Sequence, residues 1–310
     1  MSPRFLKKIF LIGILFLMSF IIHYNIQHYH DPKFKSGDSS GEFHPESTNY
    51  ANEEYYEYNY DTSRQKLSIN RNIIGRNIDQ IPYSNMEHLF PHNYILEPSP
   101  TFCDAVEILA IMPVKPEDLQ VRDQVRSTWC SSVVVSETRI KCLFLLGLTT
   151  NSSQQHAILE EFDTYRDIIQ LDFIDSYLNL TLKTWSGLHY KSTRCKQVSW
   201  LLKIDSDVFI QPWALKTEIQ NVNSDIACYV MQNKKVCHPG TCDDPRWVIS
   251  RDQYPSETYP DYCNGPAYIM SSPAVDRLLH AANPVKTFFP MEDAYFTGIV
   301  RDKLNLSILN

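Results

Sequence analysis

The stretch Trp200-Leu201-Leu202-Lys203-Ile204-Asp205-Ser206-Asp207-Val208-Phe209 decides how the chain is read. An apolar run bounded by charge predicts a buried β-strand of a parallel sheet. Asp205 and Asp207 then stand one residue apart, just past the strand's carboxyl end. In open α/β sheets ligands bind at that end. Two carboxylates held so close repel unless something positive lies between them, and a divalent cation with oxygen ligands meets that need. The pair is therefore a candidate metal–nucleotide site. An Asp-x-Asp arises by chance about once in a chain of this length, so the motif has weight only through its surroundings.

Working outward, apolar runs and helical patterns alternate. Strands are expected at Ala105–Met112, Ile140–Gly147, Asp167–Phe173 and Ile226–Met231 besides the quoted one. Helices are expected at Glu117–Trp129, Ser153–Phe162, Leu178–Arg194 and Pro212–Asn221. Such alternation predicts an α/β domain with a mostly parallel, doubly wound sheet. No G-x-G-x-x-G follows the first strand, so a dinucleotide site is unsupported. In the first helix Arg122 and Arg126 are four apart and share a face. Together they can grip a diphosphate, although a solvated face paired with Asp118 and Asp123 satisfies the same pattern.

After Asn233 the alternation stops. The turn-rich Cys237-His238-Pro239-Gly240-Thr241-Cys242 precedes an aromatic stretch through Tyr259-Pro260-Asp261-Tyr262-Cys263-Asn264-Gly265-Pro266. Its aromatics suit either the floor of a sugar pocket or a core beneath a long loop. Glu292 and Asp293 open an amphipathic helix running through Leu304. Two acids there suit an N-cap first, and catalysis only if a pocket brings them to substrate.

The net charge of −7 argues against a nucleic-acid partner. All eight cysteines lie beyond residue 100, none in a C-x-x-C pair. That pattern suits disulfides of an oxidising compartment better than zinc, and leaves the connectivity open. At the start, Arg4, Lys7 and Lys8 precede an apolar run from Ile9. Extended to Ile26 it measures about 27 Å as a helix. No small-residue cleavage site follows, which favours an uncleaved type II anchor over a signal peptide. From Gln27 to about residue 100 aliphatic residues are sparse, which predicts a disordered lumenal stem. Within it, Glu53–Asp61 mixes tyrosines with acids; solvated low-complexity stem is favoured over tyrosine sulfation. The expected order is cytoplasmic tail 1–8, transmembrane helix 9–26, stem 27–100 and folded domain 101–310.

Taken in order, five stretches resemble the β-1,3-glycosyltransferases of the galactosyltransferase type, glycosyltransferase family 31. They are Arg122–Trp129; Asp167-Ile168 leading to Asp172–Thr184; Lys203–Phe209; Tyr259–Tyr268; and Glu292–Gly298. The order of five motifs is specific where each alone is not. The resemblance implies a GT-A-like nucleotide-sugar-binding domain and Mn²⁺. It also implies inverting transfer of a hexose, galactose first, from a UDP-sugar. The acceptor would be a glycan hydroxyl on a glycoprotein or glycolipid, and the product a β-1,3 linkage. It places the chain as a single-pass type II protein of the Golgi membrane with the catalytic domain lumenal. The alternatives are N-acetylglucosamine transfer and a catalytically inactive sugar-binding relative.

Carried over residue by residue, the resemblance makes Asp207 a metal ligand, and Asp205 a donor contact that also reaches the metal. Arg126, Arg122, Asp175 and Lys183 fall on the donor side. Tyr262, Gly265 and Glu292 fall on the acceptor side, and Asp293 is the general base. The chain ends at Asn310, sooner after Asp293 than is usual in the family, and no histidine follows Asp293. Asn151, Asn179 and Asn305 begin N-glycosylation sequons; Asn179 lies inside a family motif, where burial is the alternative.

Overall fold

A computed structural model describes residues 57–61, 66–70, 94–242, 244–282 and 289–310. The expected transmembrane helix at 9–26 and most of the expected stem lie outside the described residues. Among the described residues no helix is long and apolar enough to cross a membrane.

Within the span read as stem, β1 (Glu57–Asp61) pairs antiparallel with β2 (Lys66–Asn70). Tyr58 and Tyr60 stand opposite Ile69 and Leu67 in that register. Aromatic and β-branched residues favour strands, a local preference that the low aliphatic content had masked.

The domain is built on seven strands. They are β3 (Ile108–Pro113), β4 (Ile140–Leu148), β5 (Ile168–Ile174), β6 (Trp200–Ile204), β7 (Ile226–Met231), β8 (Tyr262–Ser271) and β9 (Ile308–Leu309). Their order across the sheet is β5-β4-β3-β6-β8-β7-β9. The run β5-β4-β3-β6 is parallel, as the helix-strand alternation predicts. Beyond it the sheet is mixed: β8 pairs antiparallel with both β6 and β7, and β9 is parallel to β7. The sheet is thus mostly parallel, as expected, but mixed, because β8 runs antiparallel between β6 and β7. The aromatic stretch read as a loop after Asn233 supplies this central strand. Its Gly-Pro pair sits where β7 and β8 lose register, between Cys228 and Val230. A proline there interrupts no bond to β7.

Both faces of the sheet are covered. Leu109 and Ile111 of β3 belong to one apolar layer, Ile108, Ala110 and Met112 to the other. This is the two-residue alternation of a strand with core on each side. Helix Leu180–Arg194 buries Leu182, Trp185 and Leu188 in the first layer, and helix Ser152–Tyr165 buries Ile158 and Phe162 in the second. At the β5 edge, Ile95 donates to the Gln170 carbonyl and Gln170 donates to Leu96. Leu96 is buried there, so this short segment covers the open edge.

All eight cysteines are paired: Cys103–Cys195, Cys130–Cys142, Cys228–Cys263 and Cys237–Cys242. Cys228–Cys263 joins β7 to β8, and Cys237–Cys242 closes a small loop between them.

Candidate active site

The carboxyl ends of β3 to β6 open into one cleft of about 930 Å³, where Pro113, Leu148, Asp175, Asp205 and Asp207 meet. Parallel strands end together there, and their exposed backbone and following loops make the usual ligand crevice.

Lys203 is its structural centre. It lies on β6, fully buried, and its Nζ donates to Asp205 Oδ1 (2.6 Å), Glu292 Oε1 (2.8 Å) and the Gly265 carbonyl (2.7 Å). Burial alone would lower its pKa, but the carboxylates of Glu292 and Asp205 more than offset that and hold it above the ordinary lysine value. One ammonium thus joins β6, β8 and the segment that opens the C-terminal helix. Sequence reasoning assigned Lys203 no role. The signal was present, because a lysine within an apolar strand is seldom buried unless paired.

Glu292 is buried and also accepts from Tyr268 Oη at 2.5 Å. Each of its oxygens thus has a partner, and it braces the cleft wall that it lines. Its neighbour Asp293 keeps part of its surface open to the cleft, and one oxygen accepts from the Ala294 amide (2.8 Å). Burial first, and the charge of Glu292 second, push the Asp293 carboxyl up to about 7. The expected helix begins at Glu292, and residues Ala294–Val300 form a π-helical turn before Arg301–Lys303. Such turns recur at functional sites. Gly265 faces Asp293: a β-carbon there would lie 3.1 Å from Asp293 Oδ2. The absence of a side chain at Gly265 leaves room for the Asp293 carboxylate. Tyr262 lines the same cleft, almost buried.

Asp175 and Lys183 are brought together on another wall. Asp175 Oδ2 accepts from Lys183 Nζ (2.6 Å) and from the Gly147 amide (2.7 Å), and Lys183 also donates to the Val114 carbonyl (2.9 Å). Burial pushes the carboxyl up and the ammonium down, while each charge works against the other's shift. Asp205 is half-exposed and Asp207 exposed, both at the cleft. Among the described residues no group of three or more His, Cys, Asp or Glu is arranged to hold a metal ion.

The two arginines do not reach this cleft. Arg122 is buried and held bidentately by Glu161, through Nε to Oε1 (2.7 Å) and Nη2 to Oε2 (2.6 Å). It also donates to the carbonyls of Lys115 (2.9 Å) and Pro116 (3.3 Å), residues that do line the cleft. Arg126 is held bidentately by Asp167 at 2.8 and 2.7 Å and paired with Glu161 at 2.7 Å. The shared face exists, but it turns toward carboxylates supplied by helix Ser152–Tyr165 and the start of β5. Local spacing cannot reveal those partners.

Among the sequons, Asn151 and Asn305 are exposed, and Asn151 Oδ1 caps helix Ser152–Tyr165 by accepting from the Ser153 and Gln154 amides. Asn179 is buried, and its Nδ2 donates to the Ile174 carbonyl (2.9 Å). The nitrogen a glycan would need is thus engaged, and the burial alternative holds at Asn179.

The family model described as galactosyltransferase matches residues 120–310. Beta-1,3-galactosyltransferase 2 of Homo sapiens is 31% identical over 206 residues, covering 64% of this chain and 48% of that protein. Lactosylceramide 1,3-N-acetyl-beta-D-glucosaminyltransferase B of Danio rerio is 30% identical over 250 residues, covering 77% of this chain and 63% of that protein. The chain spans about half the length of the first curated relatives it matches. A crystal structure of S. aureus TarS 1-349 shares 14% identity with a TM-score of 0.33, over 63% of this chain and 56% of that one. That likeness is too distant to bear on the fold. The family match takes in all five sequence motifs: it begins two residues before Arg122 and runs through Asp293 to the last residue. With more than half of its length matched, the chain belongs to the galactosyltransferase family.

Proposed function

We propose that this chain is an inverting β-1,3-hexosyltransferase of GT-A-like architecture that takes its sugar from a UDP donor. The observation that carries the reading is Asp293: a carboxylate open to the cleft, with its pKa pushed up to about 7 by burial and by Glu292. A general base works best when its pKa lies near the working pH. Asp293 takes the proton from the acceptor hydroxyl as that oxygen attacks the anomeric carbon from the face opposite the departing diphosphate. Glu292 cannot compete for the proton, because Lys203 and Tyr268 hold both its oxygens.

Asp205 and Asp207 fit a hard divalent cation by donor type, and two carboxylates leave positions for phosphate and water oxygens. The oxygen donor set suits Mn²⁺. When bound, the ion offsets negative charge on the leaving diphosphate. Asp207, which is exposed, would be the principal ligand, and Asp205, which already accepts from Lys203, would share its charge with the ion. Lys183 and Asp175 set the shape of the donor wall. Galactose is the donor sugar of this reading. The Danio rerio relative, which aligns over more of the chain, favours N-acetylglucosamine as the second. The acceptor is a glycan on protein or lipid, and the chain is a type II Golgi membrane protein facing the lumen.

The test uses the full 310-residue chain with Mn²⁺ and either UDP-galactose or UDP-N-acetylglucosamine, and measures transfer to simple glycoside acceptors. Asp207→Ala and Asp293→Ala are each expected to abolish transfer, and only Asp207→Ala weakens Mn²⁺-dependent UDP binding. Full activity in Asp293→Ala would remove it as the base. Metal-dependent UDP binding without any turnover would favour an inactive relative.

A further inference from the structure

A carboxylate can act as a base only if the backbone that carries it is held in place. At Asp293 a buried hydroxyl does this. Thr297 lies fully buried within the π-helical turn Ala294–Val300. Its Oγ1 donates to the Asp293 carbonyl (2.6 Å) and accepts from the Cys263 amide (2.9 Å). A threonine hydroxyl has one proton to give, so with both bonds made its orientation is fixed.

Cys263 belongs to β8 and is tied to β7 through its disulfide with Cys228. β6 pairs with β8 only over Ala267–Ser271, so the Cys263 amide lies beyond that ladder. Gly265, which faces Asp293, follows on the same strand. Gly298 lets the turn come this close: a β-carbon there would lie 3.0 Å from Tyr262 Cβ. Arg301 adds a second tie, donating to the carbonyls of Thr297 (2.9 Å) and Asp261 (3.1 Å). Of these links, only the Thr297 hydroxyl touches the Asp293 backbone.

We infer that Thr297 is a positioning residue: its hydroxyl fastens the Asp293 backbone to β8 and so sets where the carboxylate stands relative to Gly265. This rests on the transferase reading above and adds how its base is held. Without the bridge the turn can shift against β8, and rate is sensitive to displacements of a fraction of an ångström. Thr297 itself does not line the cleft, so substrate binding does not depend on it directly. The molecule also contains a matched control. Thr138, fully buried as well, donates to the Val134 carbonyl (2.7 Å) and accepts from the Ile140 amide (3.3 Å). It ends helix Ser132–Thr138, ahead of β4 and outside the cleft.

The experiment compares the full chain with its Thr297→Val, Thr297→Ser and Thr138→Val variants. It measures steady-state transfer from UDP-galactose or UDP-N-acetylglucosamine with Mn²⁺, Mn²⁺-dependent UDP binding, and melting temperature. Thr297→Val is expected to lower kcat at least about tenfold, with both KM values and UDP binding within about threefold of the parent. Thr297→Ser keeps the hydroxyl and should hold kcat within about threefold. Thr138→Val should lose a comparable amount of melting temperature yet keep kcat within about threefold. If Thr297→Val does not fold, Thr297→Ala removes the same hydroxyl with less bulk and carries the same expectation. A smaller loss of kcat in Thr297→Val, no recovery in Thr297→Ser, or an equal loss in Thr138→Val would overturn the inference and leave the transferase reading intact. A parent chain that transfers no sugar would remove both.

Discussion

Gly265 and Asp293 stand in direct apposition across the cleft wall, and a β-carbon on Gly265 would lie 3.1 Å from Asp293 Oδ2. The strand that divides the sheet thus sets the position of the proposed base. Gly265→Ala is expected to lower kcat about tenfold, because displacement of a reacting group by a fraction of an ångström is costly to rate. The melting temperature should change little, since a side-chain oxygen can give way. An unchanged kcat would show that the base tolerates the shift.

The proposed role of Asp293 has a defined pH signature. With its pKa pushed up to about 7, kcat/KM should rise tenfold per pH unit below that value and level off above it. A profile flat from pH 5 to 8 would place the base elsewhere. Stability carries the opposite sign. The folded chain holds this proton more tightly than the unfolded chain, whose aspartate titrates near 3.8, so stability falls as pH rises from about 4 through about 7. Asp293→Asn should remove that contribution, visible as a shallower dependence of the urea midpoint on pH.

Lys203→Met leaves Glu292 and Asp205 without their shared cation. Breaking one partner of a buried ion pair costs about 3–5 kcal/mol. Lys203→Met combined with Glu292→Gln should recover part of that loss, since the stranded charge goes with its partner. Chemical denaturation of the three chains measures this, and strict additivity of the single losses would disprove the coupling.

Arg122→Ala should act through stability, because its guanidinium is buried outside the cleft and satisfied by Glu161 and the carbonyls of Lys115 and Pro116. The expected loss is about 3–5 kcal/mol, a fall in melting temperature of roughly 10 °C. Arg122→Lys should recover little, since a lysine cannot reproduce the fork. Calorimetry decides the point. A stable Arg122→Ala chain with weakened UDP binding would return this arginine to the donor side.

Much of the domain was legible from local pattern. The strands at Ile140, Trp200 and Ile226 begin where the apolar runs begin, because a strand buried on both faces needs an unbroken run of such residues. Helix Ser132–Thr138 and strand β8 were not foreseen. The first is short and carries three consecutive valines, and the second contains Gly265 and Pro266, so their local preferences point away from the structure they adopt. Asp175 and Lys183 meet at the cleft, whereas Arg122 and Arg126 turn to Glu161 and Asp167.

By itself the sequence determined that a buried strand ends in Asp205 and Asp207, that a parallel run of strands delivers them to one crevice, and that Arg122 and Arg126 share a helix face. These depend on residues only a few positions apart, where backbone geometry alone sets which side chains are neighbours. Tertiary structure decided which charges meet. Lys203 has Asp205 beside it in sequence, but it meets Gly265 because β8 lies beside β6, and it meets Glu292 because the segment carrying Glu292 and Asp293 packs against that strand. Pairing across that distance is governed by strand register and by the cost of leaving a buried charge without a partner, and neither can be read from spacing along the chain.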